Sequence, residues 1–205
     1  MANITTVLFD FDGTVIDSSI YAAMYTAVLT LLLKKKGKRK EDVDAYCSKR
    51  AWLKIGTGTE ARYDSGDLCE AFGIMDEYYS LLKSQVNRKV VLNQKVADAI
   101  VQCKAARKKI GIVSNSREKT IHIYLDAYGL SKKIDFIASS HDILVKKHHA
   151  DYWKRVCEKY KLKAEECLVV GNDHKEDGEI PNAVGMKTIA VSDVGSIADM
   201  FKNGQ

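Results

Sequence analysis

Val7-Leu8-Phe9-Asp10-Phe11-Asp12-Gly13-Thr14 decides the reading of this chain. Three apolar residues in a row lack the in/out alternation of a half-exposed strand. They suit a short strand buried on both faces, as in a parallel sheet. Two acids and a glycine follow at once, where such a strand would end. The same texture returns at Ile110–Val113, Ile134–Ala138, Leu168–Val170 and Thr188–Val191. Between these runs apolar residues repeat at three and four. Val96, Ala99, Ile100, Cys103 and Ala106 form one stripe, Ile121, Tyr124, Leu125 and Tyr128 a second, and Trp153, Val156, Cys157 and Tyr160 a third. Gly129 stands where the second helix should stop. The expected fold is therefore α/β, a Rossmann-like doubly wound parallel sheet covered by helices.

One stretch breaks the rhythm. Residues 19–92 carry helical patterns (Tyr21–Leu33, Val43–Leu53, Leu68–Phe72, Tyr78–Val90) and no convincing buried strand. The chain thus divides into a core, 1–18 with 93–205, and an inserted helical domain, 19–92.

Composition narrows the class. The chain has 205 residues, 46% of them hydrophobic and 29% charged, with one proline, so disordered and collagen-like classes are excluded. The longest apolar run, Ala27–Leu33, falls far short of the roughly 20 residues of a membrane span. No secretory leader is visible, and five scattered cysteines without a Cys-x-x-Cys pair read as reduced thiols, so a cytoplasmic location is expected. Net charge is +5, much of it from Lys34–Lys40. That is too modest to argue for nucleic acid, and a solvated turn between helices accounts for it.

Ligands bind at the C-terminal ends of strands in doubly wound sheets. There this sequence offers Asp10 and Asp12 after the first strand and Ser114-Asn115-Ser116 after the second. Gly171-Asn172-Asp173 and Asp177 follow the Leu168 strand, and Lys147 precedes it. Acids gathered so closely cannot all ionise unless a cation sits among them. All-oxygen ligands select a hard ion, and Mg²⁺ suits phosphate chemistry.

These motifs in this order resemble the haloacid dehalogenase superfamily, in its phosphatase branch with a small helical cap, as in phosphoglycolate phosphatase and β-phosphoglucomutase. The resemblance covers nearly the whole chain. It implies that Asp10 is the nucleophile that forms an aspartyl-phosphate, and that Asp12 protonates the leaving group and later activates water. It implies that Ser114 holds a phosphoryl oxygen, with Gly13 and Asn115 beside it, and that Lys147 balances charge. Mg²⁺ would take Asp10, Asp12 through its carbonyl, and the acids of the last motif, Asp173 and Asp177. Dehalogenating members lack an acid at the position of Asp12, so phosphate chemistry is expected here. The expected activity is hydrolysis of small phosphomonoesters by a monomer or homodimer. A phosphomutase, a phosphonate hydrolase and a non-catalytic polyanion-binding protein are the rival readings.

Two departures stand out. The lysine motif usually continues Pro-x-Pro but here reads Lys147-His148-His149-Ala150, with Lys146 as a rival. The last motif has Asn172 where an acid is usual; the metal then falls to Asp173, and Asn172 remains a candidate for direct contact. In the insert, Arg50, Lys54 and Thr57 lie where related caps face substrate. His141, His148 and His149 lack zinc spacing, and Gly56–Ala61 matches a dinucleotide pattern without a preceding strand.

Overall fold

The structure is a computed structural model, and it describes residues 3–49, 54–55 and 62–197, with 54–55 and 62–63 as backbone. Strand β1 (Thr6–Asp10) is buried throughout and leads to the insert. There follow α1 (Ile20–Thr30), α2 (Lys40–Ser48), the two-residue strands β2 (Lys54–Ile55) and β3 (Arg62–Tyr63), α3 (Ser65–Ala71) and α4 (Met75–Arg88). The remainder runs α5 (Gln94–Ala105), β4 (Lys109–Ser114), α6 (Glu118–Ala127), β5 (Phe136–Ser139), α7 (Ser140–Ile143), α8 (Ala150–Tyr160), β6 (Cys167–Gly171), α9 (Ile180–Ala183) and β7 (Lys187–Ala190).

Two compact units result: Met1–Asp17 with Leu92–Gln205, and Ser18–Val91. In the first, five strands lie in the order β5-β4-β1-β6-β7, every pairing parallel. The α/β fold expected from the sequence is present. β1 is central, so Asp10 ends the most enclosed strand. Register places Leu8 beside Gly111 on one side and Val169 on the other. Gly111 is required there, because a Cβ would fall 2.4 Å from the Phe136 ring.

Helix α8 covers one face through Tyr152, Trp153 and Val156, which join Leu8, Val113, Phe136, Ala138 and Val169 in a single buried cluster. Its stripe is the Trp153–Val156–Tyr160 repeat read in the sequence. Tyr160 stacks on Phe136 at 4.0 Å between ring centroids. Tyr152 and Trp153 are fully buried, and both satisfy their polar ends. Tyr152 Oη donates to the Ala138 carbonyl, and Trp153 Nε1 donates to the Lys147 carbonyl at 3.0 Å. Burial of such aromatics supplies much of the packing energy, and the satisfied N–H and O–H keep it from being offset.

The turn after β1 fixes where the insert leaves. Gly13, at φ +90°, lets the chain reverse, and its N–H donates to Ile16 O at 2.8 Å. Ile16 bridges to Leu92, and Asn93 N donates to Val15 O at 2.9 Å. The chain therefore leaves and rejoins the sheet unit at one pinned place.

The second unit is mainly helical, with α1 continuing as a π-helical turn over Leu31–Lys35. The antiparallel pair β2–β3 was not foreseen. Two residues per strand are too few for alternation to register. Lys34–Lys40 is exposed, as a solvated turn should be, and Lys36, Arg39 and Lys40 pair with Glu77, Asp42 and Asp44. The five cysteines are free thiols, and among the described residues no helix is long and apolar enough to cross a membrane.

Trp153→Phe keeps an aromatic ring but leaves the buried Lys147 carbonyl without its donor. It should lower stability by about 1–3 kcal/mol, measured by urea unfolding; an unchanged midpoint would show that the indole N–H contributes nothing.

Candidate active site

Every group of the site comes from the sheet unit. β1 delivers Asp10, which is 3% exposed. Lys147, on the segment leading into α8, is 4% exposed. Its ammonium donates to Asp10 Oδ1 and stands 2.7 Å from Asp177 Oδ1. One buried ammonium thus serves two carboxylates. Thr14 Oγ1 donates to the other Asp10 oxygen, Oδ2, at 2.9 Å. Burial pushes the Asp10 carboxyl up to about 7; Lys147 pulls it down, and Asp177 and Asp12 add to the rise.

Asp12 has different partners. Its Oδ2 accepts from Ser114 Oγ at 2.9 Å and from Ser116 Oγ at 2.8 Å. Two hydroxyls from the end of β4 thus hold the second carboxylate apart from the first. Asn115 ties two loops together: its Oδ1 accepts from Lys147 N at 2.9 Å, and its Nδ2 donates to Glu176 Oε2 at 3.2 Å.

The last motif folds as a π-helical turn, His174–Glu179. Such wide turns recur at functional sites. Asp173 stands before it as the cap, and its Oδ1 accepts from Lys175 N at 2.9 Å and Glu176 N at 2.7 Å. Asp177 turns inward and is 3% exposed. Its Oδ2 accepts from Asp173 N at 3.1 Å. Gly171 makes this approach possible, since a Cβ there would lie 2.2 Å from Asp177 Cγ.

The oxygens that could hold a cation are not a cluster of acids. Among the described residues no three His, Cys, Asp or Glu side chains gather for a metal. The convergent set is mixed: Asp10 Oδ2, the Asp12 carbonyl and the Asn172 side-chain amide. The inner atom of that amide lies 3.1 Å from Asp10 Oδ2 and 3.1 Å from Asp12 O. Adjacent ligands of an octahedral ion with bonds of about 2.1 Å are about 3.0 Å apart. Hard oxygen donors at that separation fit Mg²⁺.

The profile of the haloacid dehalogenase-like hydrolases matches residues 7–191. The chain belongs to this family. It is 27% identical to the pyrophosphatase PpaX of Bacillus mycoides over 190 residues, 92% of this chain and 84% of that protein. A HAD phosphatase from Thermococcus onnurineus shares the fold with a TM-score of 0.64 at 18% identity, covering 90% of this chain and 85% of that one. CbbY from Rhodobacter sphaeroides, solved in complex with phosphate, gives 0.63 at 16% identity, covering 91% and 85%.

Of the residues expected in this hydrolase's site, Asp10, Asp12, Gly13, Ser114 and Lys147 come together. Two expected metal ligands have other contacts: Asp173 Oδ1 accepts from the cap N–H groups, and Asp177 is held against Lys147. Asn115, expected to meet substrate, is engaged by Lys147 and Glu176. Arg50 and Thr57 lie outside the described residues, as does the Lys54 side chain. His148 and His149 are exposed, with their rings 4.2 Å apart. Three contributors were missed: Thr14, Ser116 and Trp153. The first two sit inside the quoted motifs, and their hydroxyls beside acids were the available signal. Trp153 gave only a core signal.

Removing the ammonium should expose its burden. In the metal-free protein Lys147→Met leaves Asp10 and Asp177 buried without a counter-charge, at a cost of about 3–5 kcal/mol near neutral pH. Asp10 already has a folded pKa above its unfolded value, so stability falls as pH rises towards about 7. Losing Lys147 raises that folded pKa further. The deficit should therefore be larger at pH 8 than at pH 5 in denaturant titrations at both values. Gly171→Ala should likewise destabilise by about 1–3 kcal/mol, as overpacking does, because Asp177 must move.

Proposed function

We propose that this hydrolase cleaves small phosphomonoesters through an aspartyl-phosphate on Asp10, assisted by Mg²⁺, with the Ser18–Val91 unit acting as a cap. The observation that carries the reading is the division of labour between two carboxylates two residues apart. Asp10 is buried against Lys147, and Asp12 is held by Ser114 and Ser116. Environments that differ this much suit one carboxylate to attack and the other to move a proton.

An Asp10 carboxylate oxygen attacks phosphorus, and the bond from phosphorus to the ester oxygen breaks. Asp12, protonated at that moment, gives its proton to the departing alkoxide. Asp12 then takes a proton from water as that water attacks the acyl phosphate, which releases phosphate and restores the Asp10 carboxylate. Lys147 keeps Asp10 ionised beforehand and offsets the negative charge that gathers during transfer. Ser114 and Ser116 orient Asp12 between its two tasks. Asp10 Oδ2, the Asp12 carbonyl and Asn172 would hold Mg²⁺, which when bound shields the phosphate's negative charge from Asp10.

A phosphoanhydride is a second substrate class with specific support, because the PpaX relatives are named pyrophosphatases. Its leaving group would be phosphate, which needs less help from Asp12 than an alkoxide does.

Phosphate release should be measured from a panel of small phosphomonoesters and inorganic pyrophosphate. Turnover is expected with Mg²⁺, lost in EDTA, and reduced to background in Asp10→Asn. Asp12→Asn should cost about 10²–10⁴-fold on ester substrates. If folded protein with Mg²⁺ releases phosphate from nothing on the panel, the reading fails.

A further inference from the structure

We propose that Asn172 serves the cation site in two amide orientations, nitrogen inward without a cation and oxygen inward as its ligand. The inference rests on the reading above that a hard divalent ion works beside Asp10.

The inner position of the Asn172 amide is enclosed by three oxygens: Asp10 Oδ2 at 3.1 Å, Asp12 O at 3.1 Å and Thr14 Oγ1 at 3.2 Å. Asp12 O can only accept, and so can Asp10 Oδ2 when the carboxylate is ionised. An amide oxygen placed there meets a carboxylate and a carbonyl with no proton between them. Thr14 has a single hydroxyl proton for both Asn172 Oδ1 and Asp10 Oδ2, which lies closer at 2.9 Å. Without a cation the nitrogen belongs inside, donating to Asp10 Oδ2 and Asp12 O. With a cation the preference inverts, because all the inner atoms must then be oxygen.

The exchange is a half-turn about the last side-chain torsion, which is broad and roughly two-fold for asparagine. Asn172 is exposed, so the turn disturbs no core packing. Gly13 leaves room for it, because a Cβ there would stand 2.8 Å from Asn172 Nδ2. The other candidates on the loop have contacts elsewhere: Asp173 Oδ1 with the cap N–H groups, Asp177 with Lys147 and Glu176 Oε2 with Asn115.

A carboxylate at this position could perform only the second task. In the metal-free protein it would stand as another anion against Asp10. Asparagine therefore exchanges cation affinity for a site that remains satisfied when empty.

The test uses metal-stripped full-length protein and reads binding and melting, not turnover. Mg²⁺ is titrated by calorimetry, Mn²⁺ binding is followed by electron paramagnetic resonance, and Tm is taken from circular dichroism without metal. Asn172→Asp should bind Mg²⁺ about tenfold or more tighter, since ligand charge sets affinity, and should melt at a lower temperature than wild type without metal. Asn172→Leu should bind about tenfold or more weaker and also melt lower. Asp173→Asn keeps the cap and removes a charge, so its affinity should match wild type.

Tighter binding by Asn172→Asp without a lower metal-free Tm overturns the two-orientation idea, and so does the reverse. Unchanged affinity in Asn172→Asp, or a loss confined to Asp173→Asn, removes Asn172 as the ligand. Should Asn172→Leu fail to fold, Asn172→Asp decides alone. Cation binding that disappears in Asp10→Asn, in a protein inert towards every phosphate compound, would sink the phosphatase reading and leave this one standing. A wild-type protein that binds neither ion overturns this inference.

Discussion

The buried ammonium of Lys147 is the interaction on which the rest of the site depends. A lysine this enclosed is costly unless each face of it meets a charge. Here Asp10 arrives from the end of β1 and Asp177 from the turn after β6, so one cation closes the gap between adjacent parallel strands. The arrangement then imposes conditions outward. Trp153 and Asn115 fix the backbone of Lys147 from its carbonyl and its N–H. Gly171 must lack a side chain for Asp177 to reach inward. The α8 core and the polar site are therefore linked through Lys147.

The fold was legible because parallel strands buried on both faces write themselves as unbroken apolar runs. Val7–Phe9 and Leu168–Val170 needed no partner information to be read as strands. The placement of Asp10 and Asp12 at the end of a buried strand was legible too, since a buried apolar run followed by two acids and a glycine marks a strand end. What escaped was set by geometry rather than by residue type. Asp173 and Asp177 are both acids after a strand, and nothing in their spacing says that one caps a turn while the other is drawn under Gly171. The wide π-helical turn that separates them leaves no compositional mark. Asn115 is similar: its amide can meet a substrate or a backbone, and its contacts with Lys147 N and Glu176 depend on where those residues fall in the fold.

Charge counting explains why an amide belongs at position 172. Asp10, Asp12 and Asp177, when ionised, carry three negative charges against the single positive charge of Lys147. A divalent ion at the proposed site would offset negative charge that Lys147 alone leaves unbalanced. On the proposed reading, a fourth acid in contact with the ion would add negative charge against an entering phosphate ester. If the proposed divalent ion binds, asparagine adds no further negative charge to the site, which suits the anionic ester proposed as substrate. The amide would hold the proposed cation more weakly than a carboxylate and would repel the proposed anionic substrate less.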